Sequence, residues 1–487
     1  MTIPPQQHDV AQFLAGLAGG PPKETHISAV FIGADTVWKL KKAVRLPFLD
    51  FTTPDARERF LRRELELNQP WAPGLYRDVV GIVRHPDGTL ALGEHDPIEF
   101  VLRMAKVPLG DFADEIASNN GLTEKLLDEI GDTVAGYHQG LPSLFGLDFA
   151  RSMLNITEGN ARSALAVGLP GINTWKERMD SAIASRRAWI SDRSRNGFIR
   201  RCHGDLHLGN ICLWQGHPVP FDALEFDEAL ATIDVGYDLA FLLMDLEHRA
   251  DRTAANRVMN RYVARTGDVD ATAGFPIFLS QRAMIRAHVL TAMHQDGTAY
   301  LTAAAEYLRP TEPVIVAIGG LQGTGKSTLA RALAPDLLPA PGALVLRSDE
   351  IRKRLHNISP EQRLPPDAYS TQANAAVNNT VIASAKIAAR AGHSAIIDAT
   401  FIDHRMRDEL GAAIFETGVR FIGFWLQAPL ATLEQRVASR TGDASDATVE
   451  VLRRSAATAP GPGSWMPIDA TEKAATLTTV RRAIFGR

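Results

Sequence analysis

Val314-Ile-Val-Ala-Ile318-Gly-Gly320-Leu-Gln-Gly323-Thr-Gly325-Lys326-Ser327-Thr328 joins an apolar, largely β-branched run to a glycine-rich turn ending in Gly-Lys-Ser-Thr. An unbroken apolar run of this length reads as a strand buried in a parallel sheet. The turn that follows it has the Gly320-x4-Gly325-Lys326-Ser327 spacing, and the next residues have helical character. In that context the pattern predicts a phosphate cradle. Backbone N–H groups at Gly320, Gly323 and Gly325 and the helix N-terminus at Thr328 bind phosphate oxygens, Lys326 spans the β- and γ-phosphates, and Ser327 ligates magnesium.

Downstream, strand and helix patterns alternate, as in an α/β domain: Ala343 to Leu346, a helix from Asp349, a long helix over 371–391, Ser394 to Ile397 and Phe421 to Leu426. Asp349 ends the second strand and is expected to act as base toward a hydroxyl, although Ser348 or Asp349 capping a helix explains the spacing equally well. Arg352, three residues on, shares its helical face and suits an anionic acceptor. Asp398 ends Ala395-Ile-Ile-Asp398 and suits a metal shell. Arg436 and Arg440 lie four apart on one helical face, a spacing suited to neutralising charge on a transferring phosphoryl group.

Upstream, Pro310 to Pro313 mark a break, so a boundary is expected between residues 309 and 310. The first part, 1–309, opens with a short helical pattern (Val10, Phe13, Leu14, Leu17) that ends at Gly19-Gly20-Pro21-Pro22. Two strands follow, His26 to Phe31 and Thr36 to Leu40, joined by Gly33-Ala-Asp35, then a charged helix with Arg57, Arg63, Glu64 and Glu66, and strands near Val79 to Val83 and Glu99 to Arg103. A small, mostly antiparallel lobe over about 23–105 and a helical lobe over about 106–309 are expected.

Between those helices stands His203-Gly-Asp205-Leu-His207-Leu-Gly-Asn210, followed by Phe221-Asp222 and Tyr237-Asp238-Leu-Ala. Phosphoryl transfer asks a protein for positioning and charge neutralisation. In this order Asp205 is the expected base for an attacking hydroxyl, and Asn210 and Asp222 are expected to hold magnesium. Lys39 on the second strand is the best candidate for the α/β-phosphate contact, in competition with Lys41 and Lys42, and Glu64 is its candidate partner, with Glu66 as rival. A different reading takes His203, Asp205 and His207 as ligands of a hydrolase metal. It leaves Asn210 and Asp222 unexplained.

Residues 26 to about 305 resemble the aminoglycoside phosphotransferase and small-molecule kinase family, which implies a bilobal kinase-like fold and a small hydroxylated acceptor. Two departures from protein kinases stand out: Asp222 is followed by Ala-Leu rather than Phe-Gly, and the first hairpin carries only Gly33. Residues 314–456 resemble the P-loop kinase group of polynucleotide 5′-kinases, zeta-type toxins and gluconate or chloramphenicol kinases. This second resemblance adds weight to catalytic roles for Asp349, Arg352, Arg436 and Arg440.

At 487 residues the chain exceeds one compact core, since domains average about 150 residues. A net charge of −4 gives no basic field for nucleic acid, and the runs Arg186 to Arg201 and Arg352-Lys-Arg354 lack the interleaved aromatics of a base-stacking surface, so solvated faces or local phosphate contacts are expected there. Cys202 and Cys212 have no metal-type spacing and read as free thiols. No basic leader and no membrane-length apolar stretch is seen, so a cytoplasmic location is expected. The sequence thus describes an α+β bilobal domain joined to an α/β P-loop domain, with ATP and Mg2+ at both sites and small hydroxylated acceptors. Three alternatives stay open: one active kinase regulated by a nucleotide-sensing second domain, a nucleic-acid 5′-kinase, and a plain ATPase switch, which lacks a second acidic residue beside Asp398 for water activation.

Overall fold

The computed structural model describes residues 2–46, 49–439 and 445–486. Arg440, one of the expected catalytic arginines, lies outside the described residues. The chain forms two compact units: Met1–Asn155 with Arg187–Asp245, and Ile156–Arg186 with Leu246–Arg487. The expected boundary at 309/310 falls inside the second unit.

In the first unit, α1 (His8–Ala18) stops at Gly19, whose φ of 76° is the left-handed conformation that closes a helix. An antiparallel sheet follows, built from β1 (Lys23–Glu24), β2 (Ser28–Ile32), β3 (Thr36–Lys41), β4 (Tyr76–Arg84), β5 (Leu90–Leu92) and β6 (Pro97–Ala105) in the order β1-β2-β3-β6-β4-β5. Alternation along β3 decides its chemistry. Leu40 points into a core with Val10, Leu14, Phe31 and Val101, while Lys39 and Lys41 face the opposite side. That opposite side is covered by α2 (Pro54–Asn68), capped by the Thr53 hydroxyl. Arg57, Leu61, Glu64 and Asn68 form its buried stripe, at the helical period, and Glu66 falls on the exposed face with Arg63.

The rest of the unit places the loop that carries Asp205. α3 (Glu124–Gly140) precedes β7 (Ile199–Arg201), the 203–210 loop, the hairpin β8 (Ile211–Trp214) and β9 (His217–Pro220), and β10 (Thr232–Asp234), which pairs with β7. α4 (Val235–Arg249) follows directly. The arginines of the 186–201 run are divided: Arg187 and Arg195 are exposed, whereas others turn inward. Arg193 is buried in a bidentate pair with Asp234 at 2.6 and 2.8 Å, and Arg200 donates to the carbonyl of Leu141 at 2.9 Å. Cys202 and Cys212 are buried free thiols.

In the second unit, α5 (Arg252–Thr266) precedes a five-stranded parallel sheet of β11 (Val314–Gly320), β12 (Leu344–Arg347), β13 (Ala395–Asp398), β14 (Arg420–Gln427) and β15 (Met466–Asp469), ordered β12-β13-β11-β14-β15. β11 is central and buried throughout, as its composition requires. α6 (Lys326–Leu333), α7 (Ser348–Leu355), α8 (Thr371–Ala391), α9 (Leu430–Ala438) and α10 (Lys473–Phe485) connect and flank the strands, with Val316, Ile318, Leu329, Leu333, Phe424, Leu426 and Val480 in one core. β15 was missed in the sequence because Met466-Pro-Ile-Asp469 is short and carries a proline at an edge. Among the described residues no helix is long and apolar enough to cross a membrane.

Candidate active sites

In the first unit the buried stripe of α2 meets the polar face of β3 and the chain beyond Asn210. Lys39 Nζ donates to Glu64 Oε1 at 2.7 Å and to Asp222 Oδ1 at 2.5 Å. Lys41 Nζ donates to the other Glu64 oxygen at 3.1 Å and also to Glu225. The result is an alternating ladder, Asp222, Lys39, Glu64, Lys41, Glu225. Both candidate lysines therefore contact Glu64, and Lys39 alone reaches Asp222. Lys42 turns away to Glu24 at 2.7 Å.

The ladder sets the charge states. Burial opposes the Lys39 ammonium, but Asp222, Glu64 and Glu225 outweigh it and hold its pKa well above the usual lysine value. Burial likewise disfavours an ionised Asp222, yet Lys39 dominates and keeps the carboxyl below its ordinary value. For Glu64 burial wins over its two lysines and the pKa is raised.

The 203–210 loop is fixed from behind by α4. Asp238 accepts the backbone N–H groups of His203 and Gly204, both at 3.0 Å, and also meets His138 Nε2 at 3.2 Å. Asp245 accepts from the Leu208 N–H at 3.0 Å. The Asn210 amide donates to the Asp205 carboxylate at 3.0 Å and to its backbone carbonyl at 2.9 Å, which leaves the Asn210 carbonyl oxygen for a metal. Asp222 has φ 62°, and its N–H donates to the Tyr76 hydroxyl at 2.9 Å. Asn210 thus contacts Asp205 through its amide, and its backbone carbonyl accepts the N–H of Phe221, the residue before Asp222, at 3.0 Å. His203 uses Nδ1 for the Asp205 N–H and Nε2 for the Phe221 carbonyl, and burial lowers its pKa. Its two nitrogens are thereby committed, which removes His203 from a metal-ligand role.

In the second unit a cleft of about 1080 Å³ opens over the phosphate-binding loop. Gly320 has φ 137°, and a Cβ there would lie 2.6 Å from the Leu426 carbonyl, so only glycine fits. Gly323 and Gly325 also have positive φ. Lys326, Ser327 and Thr328 line the cleft, and Ser327 Oγ donates to Asp398 at 2.5 Å. Arg347, not anticipated from the sequence, donates to Asp398 at 3.2 Å and to Ser327 Oγ at 3.1 Å. It sits at the end of a strand with no distinguishing spacing.

Asp349 and Arg352 line the same cleft. Asp349 is not the helix cap: the N-cap position of α7 is Arg347, and no side chain caps that helix. Burial, and secondarily the charge of Asp398, raise its carboxyl pKa against the opposing effects of Arg347, Ser445 and Lys326. Arg352 is buried, donates to the Ala368 carbonyl at 2.7 Å, lies 4.9 Å from the Tyr369 ring, and keeps Nε without a hydrogen-bond partner. Its run-mate Lys353 is buried too, with Nζ 2.7 Å from the Pro360 carbonyl, so the 352–354 run is not a solvated face. Arg436 reaches the cleft wall, but its guanidinium is occupied by the carbonyls of Ala470 at 2.9 Å and Thr471 at 2.6 Å. These contacts tie α9 to the chain after β15, and a longer one of 3.5 Å reaches the Gly323 carbonyl in the phosphate-binding loop.

Residues 315–462 match a family model described as an AAA domain. The chain is 29% identical over 457 residues to uncharacterized proteins of Mycobacterium tuberculosis and Mycobacterium bovis, covering 89% of this chain and 89% of theirs. Both the 203–210 and 320–328 stretches lie farther from the termini than the uncovered remainder, so both fall within that match. Among solved structures, a gluconokinase from Sinorhizobium meliloti is 17% identical, covering 37% of this chain and 98% of its own, with a TM-score of 0.24. A choline kinase from Cryptosporidium parvum is 10% identical, covering 59% and 86%, with a TM-score of 0.38. A choline/ethanolamine kinase family protein from Mesorhizobium loti is 14% identical, covering 62% and 93%, also with a TM-score of 0.38.

Proposed function

We propose that the chain is a double phosphotransferase that moves the γ-phosphate of ATP to hydroxyl groups of small molecules, with one acceptor at the Asp205 site and another at the Asp349 site. The observation that carries this reading is the shared cleft of the second unit: Asp349 and Arg352 stand beside Lys326 and Ser327, with Tyr369 and Thr400 also on its wall. A phosphate-binding loop alone needs no such groups. A carboxylate and an arginine on the wall of the same cleft suit a second, anionic, hydroxyl-bearing molecule.

At the second site Asp349 takes the proton of the acceptor hydroxyl, Arg352 holds the acceptor's charge, and Lys326 neutralises the phosphates. Ser327 and Asp398, hard oxygen donors hydrogen-bonded to each other, fit a magnesium ion. Magnesium there supplies charge neutralisation at the β- and γ-phosphates. At the first site Lys39, oriented by Glu64, would contact the α/β-phosphates, Asp205 would serve as base, and Asn210 and Asp222 would hold the metal through their oxygens.

The test is a screen of hydroxylated metabolites, sugars, nucleotides and oligonucleotides with γ-labelled ATP on the wild type. Label transfer to one or more small acceptors supports the reading. ATP consumption with water as the sole acceptor across the screen would favour the switch alternative instead.

A further inference from the structure

β12 is an edge strand of the parallel sheet, yet all four of its residues are buried. Edge strands present unpaired N–H and C=O groups, and proteins cover them by some device. Here the cover is α5, whose last residue, Thr266, precedes the start of β11 at Val314 by 48 positions. Asn260 Oδ1 accepts the Val345 N–H at 2.6 Å, and its Nδ2 donates to the Ala343 carbonyl at 3.2 Å. One side-chain amide thus does for β12 what a neighbouring strand's peptide would do. Asn256 donates to the same carbonyl at 3.0 Å, and a Cβ on Gly342 would come within 2.8 Å of it. The other side of the strand is already bonded through the Leu344 N–H to Ser394, so the strand is paired on both edges.

The same helix grips α7. Arg354 Nη1 donates to the carbonyls of Val263 at 3.3 Å and Ala264 at 3.2 Å in the last turn of α5, the former also accepting the Gly267 N–H that closes the helix. Arg261 adds an ion pair to Glu361 at 2.7 Å, just beyond α7. Between these two anchors, at Val345 and Arg354, lie Arg347, Asp349 and Arg352. The chain segment that carries the second site's acceptor groups is therefore fastened at both ends to one helix that is no part of the strand-and-helix alternation from Val314 onward.

We propose that α5 is a component of the second phosphotransfer site, with Asn256, Asn260 and Arg354 as positioning residues that hold β12 and α7 so that Asp349 and Arg352 face the phosphate-binding loop. This rests on the reading of Asp349 and Arg352 as acceptor groups. The physical reason is that transfer rate depends on placement far more steeply than nucleotide binding does: a shift of about 1 Å at a reacting group costs on the order of 100-fold in rate. The bonds described above hold β12 and α7 rather than the glycine-rich loop, so affinity and turnover should separate.

The experiment uses the full-length chain and MgATP, reading Lys326-dependent ADP formation with and without acceptors from the screen. Asn260→Leu and Arg354→Ala are expected to lower kcat by roughly 10- to 100-fold, with KM for MgATP and Asp205-dependent turnover unchanged. Asn260→Asp, which keeps the acceptor for the Val345 N–H, and Arg354→Lys, which keeps a donor, are expected to fall between those variants and the wild type. Wild-type kcat in folded Asn260→Leu and Arg354→Ala proteins overturns the proposal. Loss of kcat, affinity and cooperative unfolding together, without partial rescue by the conservative variants, also overturns it, because α5 would then be structural support only. A wild-type chain with no Lys326-dependent ATP consumption sinks the reading of the site itself, and the positioning claim with it.

Discussion

Asp349 is held where burial penalises its charge, and that gives the second site a pH signature. Its carboxyl titrates above the ordinary carboxylate value. Transfer needs the ionised form, so Lys326-dependent turnover is expected to fall on acidification with a midpoint above the ~4 of a free aspartate, read from a kcat/KM profile against pH. The stability sign follows from the same shift. The folded state holds this proton more tightly than the unfolded chain, so the contribution to stability is present at low pH and is lost as pH rises through the folded-state pKa. Asp349→Asn is therefore expected to keep MgATP binding, to lose about 10²–10⁴ in transfer rate, and to melt no lower than the wild type at neutral pH. A variant that transfers normally would remove Asp349 from the chemistry. At the first site the ladder predicts that Lys39→Ala weakens ATP use more than Glu64→Gln does, since Asp222 still holds Lys39 when Glu64 loses its charge. Equal KM values for ATP in wild type and Lys39→Ala would contradict the assignment.

At the scale of elements, the phosphate-binding loop was legible because its chemistry is local: an apolar strand, three glycines with positive φ and a helix N-terminus lie within fifteen consecutive residues, 314–328. Gly320→Ala tests that geometry. Its Cβ would meet the Leu426 carbonyl in a conformation that costs a non-glycine residue of order 1–3 kcal/mol, so both nucleotide affinity and melting temperature are expected to drop. Glu64 over Glu66 was legible in principle too, because only Glu64 shares the buried stripe of α2 with Arg57 and Leu61. Arg347, the α5 asparagines and the backbone contacts of Asp238, which stood out only as part of Tyr237-Asp238-Leu-Ala, were not. Each acts on a partner far along the chain, Asp238 on the 203–204 backbone and Asn260 on β12, and such pairings leave no period or spacing in the sequence. The arginine runs misled for the opposite reason: they look like charged surface, and only the fold reveals that Arg193, Arg200 and Lys353 are spent on internal partners.

For the whole molecule, the proposed function assigns one acceptor site to each of the two compact units. The Asp205, Asn210, Asp222 and Lys39 constellation lies wholly in the first unit, and the Lys326, Asp349 and Asp398 constellation wholly in the second. The most direct measurement is label transfer from γ-labelled ATP, across the same set of hydroxylated acceptors, by four full-length proteins: wild type, Asp205→Ala, Asp349→Asn and the double variant. Two acceptor sets are expected, one lost with Asp205→Ala and the other with Asp349→Asn, and neither labelled by the double variant. If either single substitution removes all transfer, or if the double variant still labels an acceptor, the two-site account is contradicted.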